Sequence, residues 1–340
     1  ALMSRGLGDV YKRQAYEYLE SRFDLKTRTL AAILFLVQRG LAAGITIYAP
    51  AIILSTLLHW NLTLTNIFIG VLVIIYTVSG GTKAVTQTQK QQMAVMMGGM
   101  ILAGILVLNM LPEQIGLIDA MTIAGKMGKM NLINFEFDLD DRYNFWTGTT
   151  AALFLFLSYF GTDQSQVQRY LTGKSLSESR LGLIMNGLLK VPMQFIILFI
   201  GVLVFVFYQY NTPPVFFNKV ELEQLKKSEY KMSVIELEDR FSTLHEEKKR
   251  AIDLMISNQS KKVNDEILDQ KILDLEDEMM EVREDVKALV KSNNPTAEIN
   301  DKDYIFMSYV MDYLPHGIIG LLFAVMFSAA MSSTASELNA

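Results

Sequence analysis

Residues 314–340 read LPHGIIGLLFAVMFSAAMSSTASELNA. An apolar run greasy enough to enter a bilayer carries straight on into Ser332, Ser333, Thr334 and Ser336, with no basic residue or turn to stop it. A helix of about 20 mostly apolar residues crosses the hydrocarbon core, so this stretch sets the class: an all-α protein of the membrane. Its hydroxyls set the functional question. Ser332 and Ser336 stand four residues apart on one helix face, Ser333 lies about 100° round, and Ala329 lies one turn before Ser333. That wall offers two hydroxyl oxygens and a backbone carbonyl to a small hard cation such as sodium, which neutral oxygens hold weakly enough to release. The same residues also suit close helix packing, because Ser and Ala let membrane helices approach.

The rest of the chain fits the class. It is 51% hydrophobic with 19 Met and 19 Phe and a mean hydropathy of +0.24, oilier than a soluble chain of 340 residues. The absence of cysteine excludes disulfides, thiolate metal sites and cysteine nucleophiles. His59, His245 and His316 are scattered and form no metal-ligand spacing. No nucleophile, base and orienting group occur together, so an enzyme is not expected. Nucleic acid is not an expected partner either; the lipid bilayer is.

Charge divides the chain in two. Between Asn218 and Asp303 lie 15 of the 31 Lys/Arg and 22 of the 36 Asp/Glu, so that stretch carries −7 and the oily remainder +2. The expected organisation is a segment 1–14 that resembles translated sequencing-adaptor sequence, a transmembrane core 15–217 of five helices, a charged insert 218–303, and a last transmembrane helix 304–340. The first 14 residues lack the apolar region of a signal peptide, and the chain reads as a fragment at both ends.

Six spans meet the length criterion: residues 29–58, 62–80, 93–111, 147–167, 181–208 and 315–336. Pro50 and Pro192 fall inside two of them, where kinks are expected. Arg22, Lys26, Arg28, Lys83, Lys90, Arg169, Lys174 and Arg180 all fall on one side, which the positive-inside rule makes the cytoplasm. The insert then lies outside the cell or inner membrane. Trp60 and Trp146 fall at outer helix ends. The loop with Asp138, Asp140 and Asp141 lacks the glycine and distal Glu of an EF-hand and reads as solvated.

Within the insert, Val234, Leu237, Phe241, Leu244, Lys248, Ala251 and Met255 step by three and four, and so do Leu268, Ile272, Leu275, Met279, Val282, Val286 and Leu289. Each series is a coiled-coil seam, and the expectation is an antiparallel helical hairpin turning near Asn258. A single long helix is the alternative.

Polar residues inside apolar spans mark function or pairing. Gly161, Thr162, Asp163 and Gln164 end an apolar helix and suit either a broken helix beside a cavity or a plain cytoplasmic exit. Lys190 stands ten residues beyond Arg180, about 15 Å into its helix, and needs a partner, a wet cavity or a route to snorkel.

Several stretches together resemble the solute:sodium symporter family. AYEYLESRF followed by a helix containing IYAPAIILS (Tyr48, Ala49, Pro50) is similar to the entry into its third core helix, and GGTKAVTQTQKQQ to its G-G-x-x-A-V-x-x-T-D-x-x-Q connection. TDQSQVQRYLTGKSLSESR is similar to D-Q-x-x-x-Q-R-x-L-x-x-K-S, and residues 314–340 to L-P-x-G-x-x-G-L…A-A-x-M-S-S-x-x-S-x-L-N. The resemblance covers Ala15–Tyr208 and Tyr304–Ala340. It implies a LeuT-like inverted-repeat transporter fragment holding core helices three to eight, with an extracytoplasmic helical hairpin insert, and sodium-coupled uptake of a small organic solute. It also implies a sodium site at the carbonyl of Ala329 and the hydroxyls of Ser332 and Ser333. A solute site is implied at Tyr159, Phe160, Asp163, Gln164 and Lys190. Phe160 stands where sugar carriers have tryptophan, which argues against sugar. Gln89 replaces an Asp associated with a second sodium, so one sodium per cycle is expected. A membrane sensor feeding a signalling module is the rival function, and an arm that docks an envelope protein is a further role for the hairpin.

Overall fold

A computed structural model describes residues 15–58, 60–131, 134–138, 144–161, 163, 175–260, 266–297, 299–302 and 304–338. In chain order its helices are α1 (Ala15–Arg22), α2 (Leu25–Leu58), α3 (Leu62–Asn109), α4 (Leu117–Lys126), α5 (Phe145–Gly161), α6 (Leu176–Tyr210), α7 (Lys219–Leu225), α8 (Lys231–Ser260), α9 (Glu266–Asn293), α10 (Tyr304–Tyr313) and α11 (His316–Leu338). The chain divides into two compact units. One comprises Ala1–Gly98, Ile133–Gln194 and Gly320–Ala340, the other Gly99–Leu132 and Phe195–Ile319.

The first unit is apolar helix against apolar helix. Ala51 of α2 packs with Ile69 and Val73 of α3, and Ile47, Leu54, Leu62 and Phe327 of α11 close round them. Starts are set by side-chain caps. Asn61 Oδ1 accepts from Thr63 N at 3.0 Å and Asn144 Oδ1 from Thr147 N at 2.8 Å, satisfying donors that a helix start leaves unpaired. Outside the cluster the apolar side chains stand exposed, Leu36, Leu41 and Ile45 on α2 and Leu153, Phe154 and Leu155 on α5 among them. Rows of this kind fit contact with lipid or with other apolar helices.

Among the described residues, Leu25–Tyr48, Gln91–Asn109 and Ser177–Tyr210 are long and apolar enough to cross a membrane, and Leu62–Ile75 and Phe145–Phe160 are shorter apolar helices. α11 covers the sixth expected span. One expectation changes. Spans 62–80 and 93–111 were to be separated by a connection, yet α3 is a single helix of 48 residues. The sequence at this junction opens on the weak helix formers Ser79, Gly80 and Gly81 but continues through Ala84 and a run of Gln and Lys, good ones, and has no proline, so the helix is not forced to stop. At about 1.5 Å per residue α3 is roughly 70 Å long, more than twice a hydrocarbon core, and its polar middle must emerge from any bilayer that either end enters. Helix likewise runs through Pro50 and Pro192.

The second unit carries the insert. α8 and α9 lie antiparallel: Val234 and Phe241 share a core with Met279, Val282, Val286 and Val290, and Lys248 meets Glu276. Residues 261–265, between the arms, lie outside the described residues. The buried seam is wider than the expected one at three places, since His245 and Ile252 are fully buried and Val290 is buried beside Leu289, which packs on the same core. The hairpin base is fastened by Arg283, whose guanidinium lies 5.0 Å from the rings of both Phe217 and Phe241. It also donates to Pro214 O at 3.0 Å and faces Asp301 at 3.8 Å. Asp301 in turn accepts from Phe217 N at 2.9 Å. Near the tip, Lys126 of α4 pairs with Asp269 and Gln259 Nε2 donates to Thr122 Oγ1 at 3.3 Å. α4 can turn away at its end because Gly128 takes φ 72°, a conformation glycine adopts without strain.

Candidate functional site

α11 runs helical from His316 to Leu338, so the backbone positions of Ala329, Ser332 and Ser333 fall within a single turn. At 100° per residue they occupy an arc of about 100°. The register also orients that arc. Phe327 packs on the α2–α3 cluster, which marks the face of α11 turned to it at that level. The positions of Ala329, Ser332 and Ser333 come roughly 140° to 240° round from Phe327, on the other side of the axis.

The second group gathers at the end of α5. Tyr159 and Phe160 are half-buried and meet edge to face, ring centroids 5.1 Å apart, with Phe156 6.0 Å from Phe160. Asp163 follows immediately, and its N–H reaches back to Ser158 O at 3.1 Å, a five-residue step that widens the last turn. Its carboxylate is ion-paired with Arg39 of α2, the two side chains being 12% and 14% exposed. The Arg39 guanidinium also sits 5.6 Å from the Phe35 ring centroid. So three of the five expected solute-site residues stand together. Gln164 lies outside the described residues. Lys190 is exposed on α6 beside exposed Leu188, Leu189 and Val191, and among the described residues it has no ion pair; it is not brought to Asp163.

Arg39 escaped the sequence reading, which used the chain's cations to orient the membrane. The signal was present: an arginine inside the apolar stretch Leu25–Tyr48 is as costly there as Lys190 is in its own helix. What sequence did not supply was the partner, 124 residues away in the chain. Gln89 belongs to α3, and its side chain is outside the described set.

The family model described as sodium:solute symporter family matches residues 14–230. The human sodium/iodide cotransporter is 34% identical over 197 residues, 57% of this chain and 30% of that protein. Human sodium-coupled monocarboxylate transporter 1 is 35% identical over 171 residues, 50% of this chain and 28% of that one. The rabbit sodium-dependent multivitamin transporter is 33% identical over 199 residues, 57% and 30% of the two chains. The chain thus spans less than a third of the length of these relatives. Among solved structures, a sodium-coupled sialic acid symporter in a substrate-bound outward-open state superposes with a TM-score of 0.59 at 23% identity, covering 96% of this chain and 52% of that one. That likeness establishes the LeuT-like fold.

Proposed function

The chain belongs to the sodium:solute symporter family, and on that premise we propose that it works in a multi-pass carrier of the cytoplasmic membrane that uses a sodium gradient to accumulate a small organic solute. What supports this most directly is that α11 is helical from His316 to Leu338, so that Ala329, Ser332 and Ser333 share one turn. Sodium there exchanges its water shell for the Ala329 carbonyl and the two hydroxyls, and the solute binds beside Tyr159, Phe160 and Asp163, with Gln164 and Lys190 as further contacts. A free-energy coupling between the two sites is reciprocal, so sodium raises solute affinity and solute raises sodium affinity.

The solute class we favour is a small organic anion. Support comes from the names of relatives that are monocarboxylate transporters, and from Phe160, which stands where sugar carriers have tryptophan. With Gln89 supplying an uncharged amide, one sodium enters per cycle. Uptake of labelled monocarboxylates into vesicles bearing the full-length protein tests all three points. It should need inward sodium, rise with the first power of sodium concentration, and exceed uptake of neutral sugars. Uptake indifferent to sodium would overturn the proposal, and a second-power dependence would overturn the single-sodium reading.

The hairpin serves, on this reading, as a brace outside the membrane, since Arg283, Lys126 and Gln259 fasten it at both base and tip. Deleting residues 221–295 and measuring uptake separates a brace from an arm that docks an envelope protein: loss of a brace lowers uptake, whereas loss of a docking arm leaves it intact.

A further inference from the structure

We propose that Arg39 is a positioning residue of the solute site, and that the unit acting there is the pair Arg39–Asp163 rather than Asp163 alone. This rests on the transport reading above and adds a residue to it.

Three observations carry the proposal. First, both side chains are more than four-fifths buried, and Arg39 stands 14 residues into α2, about 21 Å along the helix, inside the apolar stretch Leu25–Tyr48. A buried lone guanidinium or carboxylate is far costlier than the pair, because each ion's lost hydration is offset only by its partner. Second, Asp163 follows the last turn of α5, where unpaired carbonyls already make the helix end negative. A carboxylate there is repelled by the helix it terminates, and a cation is the group that can hold it in place. Third, Asp163 is the fourth residue after Tyr159 and the third after Phe160, and its N–H is tied to Ser158 O at 3.1 Å. Fixing Asp163 from α2 therefore fixes the widened turn that aims the two rings. Phe35, 5.6 Å beneath the guanidinium, restricts the arginine in turn.

If Asp163 instead acted on solute or cation by itself, Arg39 would be replaceable and its loss would not be repaired at position 163. Pairing predicts the opposite, and the two are separable without any transport assay. The full-length protein in detergent should lose several degrees of melting temperature on Arg39→Gln and on Asp163→Asn. Arg39→Lys should lose less, since it keeps the charge while giving up the fork. The swap Arg39→Asp with Asp163→Arg should recover most of the loss. In vesicles, each neutral single variant should raise the solute KM by about tenfold, a typical coupling for residues in direct contact, with a smaller change in kcat, and the swap should bring KM back down. A swap that melts no higher than its worse single parent overturns the proposal, as do single variants that melt like the unmodified protein. Should no solute move even with the unmodified protein, the transport reading fails, while the melting series still decides the pairing.

Discussion

Two regions of this chain bury a cation beside a carboxylate, and they do so in different surroundings. In the hairpin, Lys248 has a side chain 3% exposed and meets Glu276 at 2.6 Å, while Glu276 keeps 25% of its own surface in contact with solvent. In the apolar unit, Arg39 and Asp163 are comparably buried, 14% and 12% exposed. The hairpin pair is thus asymmetric, one ion inside and one at the rim, and the apolar pair is symmetric. An ion at a wet rim can be rehydrated when its partner goes; an ion inside cannot. The hairpin can tolerate losing one particular member, whereas the apolar unit can spare neither, and the sodium site we propose on α11 uses neutral oxygens.

The largest expected effect tests the neutral oxygens. Replacing Ser332 and Ser333 together with Ala removes both hydroxyls, keeps the helix, and should abolish sodium stimulation of uptake while the protein still purifies folded. Uptake that remains fully sodium-dependent would remove α11 from the ion site. A lone Ser332→Ala or Ser333→Ala should weaken sodium affinity rather than remove it, read as a rise in the sodium concentration for half-maximal uptake.

Next comes the asymmetry of the hairpin pair. Glu276→Gln strands the buried ammonium of Lys248 and should destabilise the hairpin by about 3 kcal/mol, as breaking a buried pair does. Lys248→Met leaves a carboxylate that solvent reaches and puts an unbranched apolar chain into the seam, so it should cost less than about 1 kcal/mol. Thermal or denaturant unfolding of the two variants measures the difference, and equal losses would show that the exposure of Glu276 carries no weight.

The same contrast explains what was readable in the sequence. The hairpin was legible because its helices bury a stripe: Val234, Phe241, Ile272 and Met279 recur at three and four, and burial follows that spacing. Its details were less so. His245 sits one residue past Leu244, and nothing in a periodicity says that the imidazole is buried more completely than the leucine, which also packs on the core. In the apolar helices, composition located the spans, yet with exposed leucines on most sides of α2 and α6 there is no stripe to say which face meets which. The short motifs located Asp163 and the α11 serines. They could not locate Arg39, because a buried charge announces that it needs a partner without saying where along the chain the partner is. The unbroken α3 is the complementary case, where local helix preference outran the hydropathy pattern.

The smallest effect expected is a pH dependence of the hairpin's attachment, and its sign follows from His245. The ring is fully buried; Nε2 donates to Tyr208 O at 2.9 Å, one of the carbonyls left unpaired at the end of α6, and Nδ1 lies 3.2 Å from Thr212 Oγ1. Burial is the main influence and holds the imidazole below its ordinary value; the Tyr208 carbonyl opposes this, Lys248 and Lys249 reinforce it, and Glu246 opposes it. A ring that is harder to protonate in the attached hairpin than in the released one gives proton binding to the released form. Attachment is therefore at full strength above the ordinary histidine range near 6.5 and weakens as pH falls below it, through the lowered value of the attached ring. Proteolysis or hydrogen exchange of α8 between pH 7.5 and 5 should show faster opening at the acid end. His245→Gln keeps a donor for Tyr208 O and an acceptor for Thr212 with no titrating ring, so it should flatten that profile. A profile equally steep in the glutamine variant would take the acid sensitivity away from His245.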